Sequence, residues 1–247
     1  MAWFIWFAAM LLCAPAASAQ TTTQLWGNLT FNWVKSDHLA YELDFEPKAL
    51  LAPAEGEPGW RNLDVTPNVE YSLKRWLDLV GDLTVGRTMQ TDDVDSTEVT
   101  PRIGVRFHLF SRTALLHARE QAPQRHIVVR ELVRFESRNF FYTGGDTDNE
   151  STFRFRNRLE VLMPINKASI TDDGAGHWLA DWEWFIPLDD AEERYANRQR
   201  IRAGVGYRRN FNWRYEVLYI WTRSRDTIES GFSTNENAID VRVKKVF

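Results

Sequence analysis

A transmembrane, antiparallel up-and-down β-barrel is the all-β fold that this sequence predicts, on three observations. Apolar residues recur at every second position over stretches of twelve or more residues, a period that only a strand sorts onto two faces. The intervening positions are crowded with arginine. Aromatic residues stand at the ends of the apolar faces. All three are clearest between Arg194 and Arg225, where Tyr195, Ile201, Ala203, Val205 and Tyr207 share one parity and Arg198, Arg200, Arg202 and Arg208 the other. After a turn at Arg209-Asn210-Phe211-Asn212, the residues Trp213, Tyr215, Val217, Tyr219 and Trp221 oppose Arg214, Glu216, Thr222 and Ser224. Strands of soluble sheets usually alternate over about five or six residues. A bilayer is crossed by roughly 9 to 11 tilted residues, with Trp and Tyr at the interfaces.

The other elements follow in order. Leu25, Leu29, Phe31 and Trp33 alternate with Trp26, Asn28, Thr30 and Asn32, and past Ser36-Asp37 the residues Leu39, Tyr41, Leu43 and Phe45 oppose Glu42, Asp44 and Glu46. A proline-bearing loop from Pro47 to Gly59 leads to a third strand, Trp60 to Lys74, with Leu63, Val65, Val69, Tyr71 and Leu73 outward and Asp64, Asn68, Glu70 and Ser72 inward. Pro67 cannot donate to a ladder, so a bulge or break is expected there. The fourth strand, Asp78 to Gln90, points Leu79, Leu83, Val85 and Met89 outward together with Arg87, which has to snorkel near the strand end. In the fifth, Val99, Ile103, Val105, Phe107 and Leu109 oppose Glu98, Arg102, Arg106 and His108. In the sixth, Ile127, Val129, Val133 and Phe135 oppose Arg130, Arg134, Glu136 and Arg138. Glu131 falls on the apolar parity of this strand, where a carboxylate facing lipid is costly, so a local bulge or a changed register is expected. The seventh sets Phe153, Phe155, Leu159, Val161 and Met163 against Arg154, Arg156, Arg158 and Glu160. The eighth sets Trp178, Trp182, Trp184 and Ile186 against Asp181 and Glu183. The pair described above gives the ninth and tenth. The last, Asn237 to Phe247, alternates Ile239, Val241 and Val243 with Asp240, Arg242 and Lys244. That makes eleven, whereas bacterial single-chain barrels are nearly always even. About 12 strands are therefore expected, with 10 as the fallback, the discrepancy lying near Pro67 or between Ser111 and Arg125.

Composition bounds the class. The chain has 247 residues, a net charge of −4 and 24 Arg against 6 Lys. After residue 19 no run reaches the ~18 apolar residues a spanning helix needs. Residues 1–19 read as a secretory signal peptide, with an apolar core from Phe4 to Leu12, a break at Pro15 and the small residues Ala17-Ser18-Ala19 before Gln20. Cleavage near Ala19 is expected rather than a retained anchor, leaving residues 20–247 as one barrel domain. Cys13, the only cysteine, lies inside this signal, and Leu12 before it does not suit lipid attachment. The mature chain then holds no thiolate metal site. A mildly acidic chain without a basic tail also argues against nucleic acid.

The terminal Phe247, with apolar residues at alternate positions before it, looks like the signature by which outer-membrane barrels are handed to their insertion machinery. That machinery, outer-membrane lipids and lipopolysaccharide are the expected partners, and the outer membrane of a Gram-negative bacterium the expected location. Four segments carry a more particular likeness: Trp26 in the first strand; Glu70-Tyr71-Ser72-Leu73 running into Trp76-Leu77-Asp78-Leu79; Arg156-Asn157-Arg158-Leu159-Glu160; and Arg200-Ile201-Arg202-Ala203-Gly204-Val205-Gly206-Tyr207-Arg208. Together they resemble the bacterial outer-membrane family called domain of unknown function 2490. The resemblance covers nearly all of the mature chain and implies a barrel, but supplies no catalytic residues.

The inward parity gathers Arg102, Arg106, Arg130, Arg134, Arg154, Arg156, Arg158, Arg198, Arg200, Arg202 and Arg214 with Glu70, Glu98, Glu136, Glu160, Asp181, Glu183 and Glu216. A passive channel or uptake pore whose arginine-rich lumen favours a small anionic solute is one expectation. A closed structural barrel filled by cross-strand ion pairs is the alternative. Arginines outnumber acids in this set, so some guanidinium groups are expected to stay unpaired and wet. A lipid-modifying hydrolase or acyltransferase needs a nucleophile beside a base. Ser72 and Asn68 lie two strands from His108, the other histidines fall in or beside turns, and no nucleophile elbow occurs, so no catalytic residue is assigned. The acidic stretches at Asp92, Asp93 and Asp95 and at Asp146, Asp148 and Glu150 lack the glycine and distal glutamate of a calcium loop and read as solvated loops. No cofactor or metal is expected. A lipocalin-like carrier would bury the Trp and Tyr faces and leave ladders of Arg outside, and is rejected on that ground.

Overall fold

Period-two alternation suits an extended backbone, and the stretches that carry it are strands in the computed structural model, which describes residues 22–52, 59–91, 94–109, 126–143, 148–188, 198–224 and 233–247. In chain order they are β1 (Thr22–Val34), β2 (Leu39–Ala52), β3 (Trp60–Lys74), β4 (Leu77–Gln90), β5 (Asp95–His108) and β6 (Val128–Thr143). Then come β7 (Glu150–Pro164), β8 (Ala175–Pro187), β9 (Arg198–Asn210), β10 (Trp213–Ser224) and β11 (Ser233–Val246). Each strand pairs with its chain neighbours, and β1 closes the ring against β11. No helix among the described residues is long and apolar enough to cross a membrane, which leaves crossing by strands open.

Two expectations are corrected by this closure. The described residues form a barrel of eleven strands, neither twelve nor ten. Because successive strands reverse direction, an odd number leaves the first and last running the same way. The seam between β1 and β11 is accordingly parallel, from Thr22 opposite Glu236 to Asn32 opposite Val246, while every other pairing is antiparallel. Residues 1–21, which hold the expected signal, lie outside the described residues. So do the whole stretch from Ser111 to Arg125, with His117, and also Asp92, Asp93 and Asp146.

The strands tilt strongly. A ladder of directly paired residues that starts at Leu77, at one end of the barrel, passes through Phe107, Glu131, Leu159, Trp182, Ile201, Trp221 and Asn237 and reaches Thr23 at the other end. Such tilt and stagger are what closing a sheet requires.

Pro67 produces no bulge. β3 runs through it, and the ladder to β4 skips Thr66 and Pro67 but resumes in the same register, with Val65 opposite Val85 and Asn68 opposite Asp82. The Thr66 and Thr84 hydroxyls hydrogen-bond across the gap at 2.8 Å. Glu131 likewise keeps its register and its place on the outer face, and the expected bulge is absent there. Its carboxylate accepts a 2.8 Å hydrogen bond from Asn157 Nδ2, which shares that face of β7. Arg87 reaches the rim, where it donates to Asp95 and Thr97 at 2.9 Å each. Lys245, another basic residue on the apolar parity, lies over the rings of Trp213 and Phe247 at 4.7 and 5.4 Å.

The outer face is apolar and exposed from Leu25 on β1 to Val241 on β11, with Ile103 the barest at 69 %. At the end where β1 finishes and β4 and β10 begin, Trp33, Tyr71, Trp76, Phe211 and Phe247 are all exposed rings. Phe247 stacks on Trp33 at 5.4 Å between ring centres, and Trp76 stacks on Phe107 at 6.2 Å. Inside, apolar packing is confined to two small clusters, Leu162 with Leu179 and Leu218, and Trp26 with Ile220 and Ala238. Val80, Leu132 and Phe185 are buried outside these clusters, and most of the other described residues that line the interior are polar or charged.

Candidate functional site

Alternate side chains of eleven tilted strands converge on a cavity of about 830 Å³. Its lining runs from Gln24, Trp60 and Gln90 near one rim to Asn32, Ala40 and Lys244 near the other. Of the residues predicted for the lumen, Arg102, Arg106, Arg130, Arg134, Arg154, Arg156, Arg158, Arg198, Arg200, Arg202, Arg214, Glu160 and Glu216 line this cavity. Glu136, Asp181 and Glu183 also belong to the inward face but are buried beneath the arginines, with side chains 0, 1 and 0 % exposed.

Register explains these contacts, because opposite charges directly across a pair of strands attract. Asp181 stands opposite Arg202 and accepts from its Nε at 2.8 and 3.0 Å. Arg130 stands opposite Glu160, and Glu136 opposite Arg154, and both are ion pairs. Arg156 reaches two carboxylates, Glu183 at 2.5 Å and Glu136 at 3.1 Å. Glu183 also faces Arg200 at 3.5 Å and Arg202 at 3.7 Å. Arg134 and Arg102 share Asp82, and Arg138 pairs with Glu98 at 2.8 Å.

The acidic half of this site escaped the sequence reading. β2, β3 and β4 turn Glu42, Asp44, Glu46, Asp64, Glu70 and Asp82 into the cavity, with Lys48 their only cation. Their parity is plain in the sequence, but apart from Glu70 they had not been weighed against the arginines. The arginines fall instead on β5 to β11, so the lumen has an acidic wall and a cationic one. With these added acids, all but one of the guanidinium groups in the described lining are taken up. Among the described residues that line the cavity, Arg158 is the one cation with neither a hydrogen bond nor an ion pair. The sequence also left out Phe185, which breaks the Trp184–Ile186 parity and lies inward with the guanidiniums of Arg154 and Arg156 over its ring at 4.8 and 4.9 Å. Trp26 is flanked in the same way by Lys48 and Arg200, each at 4.9 Å.

Three of the described histidines are tied to acids or backbone. His108 Nε2 contacts Asp78, which stands directly opposite Ser72 in the β3–β4 register. The acid thus stands between the hydroxyl and the imidazole. His177 is buried against Glu216 at 3.1 Å, and exposed His38 meets the Ser72 carbonyl at 3.0 Å. Asp95 is engaged by Arg87 and by the Gln90 backbone N–H at 3.1 Å. Among the described residues no group of three or more His, Cys, Asp or Glu is placed to hold a metal ion.

No curated protein and no solved structure matches the chain. A family model does match, from residue 23 in β1 to residue 230 beyond β10, and the arginine-bearing segments of β7 and β9 fall inside it. On that match, the chain belongs to the family described as "Protein of unknown function (DUF2490)".

Proposed function

We propose that this chain is an outer-membrane β-barrel that acts as a passive pore for small polar solutes, with anionic groups drawn to its arginine wall. One observation carries the reading: a single charged cavity is lined by residues from near both rims. Eleven strands lie between the roughly 8 of a side-chain-filled barrel and the 16 or more of an open porin, so a narrow passage is the expected outcome. Membrane insertion is supported by the outer face, which is apolar along the strands and carries an aromatic girdle at one rim. Outer-membrane lipid and lipopolysaccharide would cover that face, and Phe247 would serve the insertion machinery. A hydrolase has less support, since the His108 imidazole is engaged by Asp78 rather than by a serine hydroxyl.

Ile103→Arg tests the membrane assignment. The site is near the middle of β5 and 69 % exposed, so the change is expected to cost about 2–4 kcal/mol of barrel stability in lipid bilayers. In a water-exposed barrel the same change would be nearly neutral, and an unchanged urea midpoint in phospholipid vesicles would defeat the reading.

Conductance tests the pore. Purified protein in a planar bilayer is expected to give discrete current steps. Arg106→Gln, which removes the partner of Glu70, is expected to move the reversal potential toward cations. The closed-barrel alternative draws on the dense ion pairing, and repeated insertions without current would favour it.

A further inference from the structure

We propose that the lumen carries a binding site for a small zwitterionic solute, its anionic group held by Arg158 and its cationic group by Asp44. The inference rests on the pore reading and adds the class of solute.

The mismatch in ion pairing carries it. Arg158 stands directly across from Glu183, the carboxylate it would be expected to hold. Both oxygens of Glu183 are already engaged, one by Arg156 and the other by Arg200 and Arg202. Arg158 therefore lines the cavity with neither a hydrogen bond nor a close ion pair of its own. Asp44 is its counterpart. It stands between Thr30 and Thr66, so register brings it hydroxyls and no cation. It accepts a hydrogen bond from Thr30 at 2.5 Å, while the nearby Lys244 goes to Glu42. Every other cavity-lining carboxylate among the described residues has an ion-pair partner.

Placement makes the two a pair. β2 and β7 are five strands apart one way round the ring and six the other, which is diametric in a barrel of eleven. Each residue is near the middle of its strand. A solute carrying both charges satisfies both groups at once, whereas a lone anion or cation satisfies one and meets the opposite wall with like charge. Guanidinium suits a carboxylate or phosphate through its planar fork.

Uptake of tracer 4-aminobutyrate into proteoliposomes, compared with the uncharged solute erythritol, tests the site. The wild-type protein is expected to admit the zwitterion about fivefold faster, the ratio that roughly 1 kcal/mol of ion pairing supplies. Arg158→Gln and Asp44→Asn are each expected to remove the preference, and Arg158→Lys to retain it, in variants whose folding is confirmed by heat-shifted gel mobility. Equal entry of the two solutes into wild-type vesicles would leave the pore standing and overturn the site. A preference that persists in Arg158→Gln overturns it too. Loss in Arg158→Gln but not in Asp44→Asn would make this an anion site and end the zwitterion assignment. Entry of neither solute removes the pore reading and the site with it.

Discussion

Gly204→Val is expected to leave no folded barrel. Gly204 faces inward on β9 directly across from Leu218 of β10. A Cβ placed there meets the Val217 carbonyl oxygen, and lies 2.7 Å from both Leu218 Cα and Leu218 Cδ2. The obstacle is backbone as well as side chain, so it cannot swing aside without parting β9 from β10. Overpacking against movable side chains costs about 1–3 kcal/mol. A branched side chain driven into the neighbouring strand should exceed ~4 kcal/mol, enough to remove a marginally stable fold. The expected readout is loss of the compact, heat-shifted band on gels and of β-sheet circular dichroism after refolding. Gly81→Ala is the matched control, because nothing lies within 4 Å of a Cβ at that position on β4. Its midpoint should stay within about 0.5 kcal/mol of the wild type. Equal tolerance of the two substitutions would show that the close approach of β10 to Gly204 does not require a glycine.

The local half of this architecture was legible in the sequence, and the closing half was not. Alternation is a property of neighbouring residues, so the faces of strands such as β7 and β9 could be read directly from Phe153 to Met163 and from Arg198 to Tyr207. Closure depends on the meeting of Thr22–Asn32 with Glu236–Val246 across the whole chain. Nothing local signals that the seam is parallel, and the preference of other barrels for even numbers outweighed a count along the sequence that was already eleven. Glu131 seemed to demand a bulge because its partner, Asn157, belongs to the next strand and is found only once register is known. The candidate site divides in the same way. Which arginines turn inward is set by parity, but which of them stays free is set by competition for Glu183 between the arginines of β7 and those of β9. Arg158 could not be singled out from Arg154 or Arg156 by any pattern in β7 itself.

Glu183→Gln is expected to destabilise the barrel by about 3–5 kcal/mol while changing almost no volume. The Glu183 side chain is fully buried and stands 2.5 Å from Arg156, 3.5 Å from Arg200 and 3.7 Å from Arg202. Neutralising it leaves those guanidiniums crowded on the floor of the cationic wall, with only Glu136 and Asp181 to offset them. Removing one member of a buried ionic network costs more than the pair contributes, because the remaining charges keep their desolvation penalty. Glu98→Gln supplies the comparison. Its partner is Arg138, and its side chain is 28 % exposed, so water takes over much of the lost interaction and about 1 kcal/mol is expected. Urea midpoints of both variants in phospholipid vesicles measure the difference. A coupling between Glu183→Gln and Arg200→Gln, in which the double variant recovers part of the loss, would assign the cost to like-charge crowding rather than to altered packing. If Glu183→Gln proves no worse than Glu98→Gln, the carboxylates under the arginines are not what holds this wall in place. The pore reading adds a second consequence. Guanidinium groups released by Glu183→Gln face the cavity, so reversal potentials in a salt gradient should move toward anions, opposite in sign to the shift expected of Arg106→Gln.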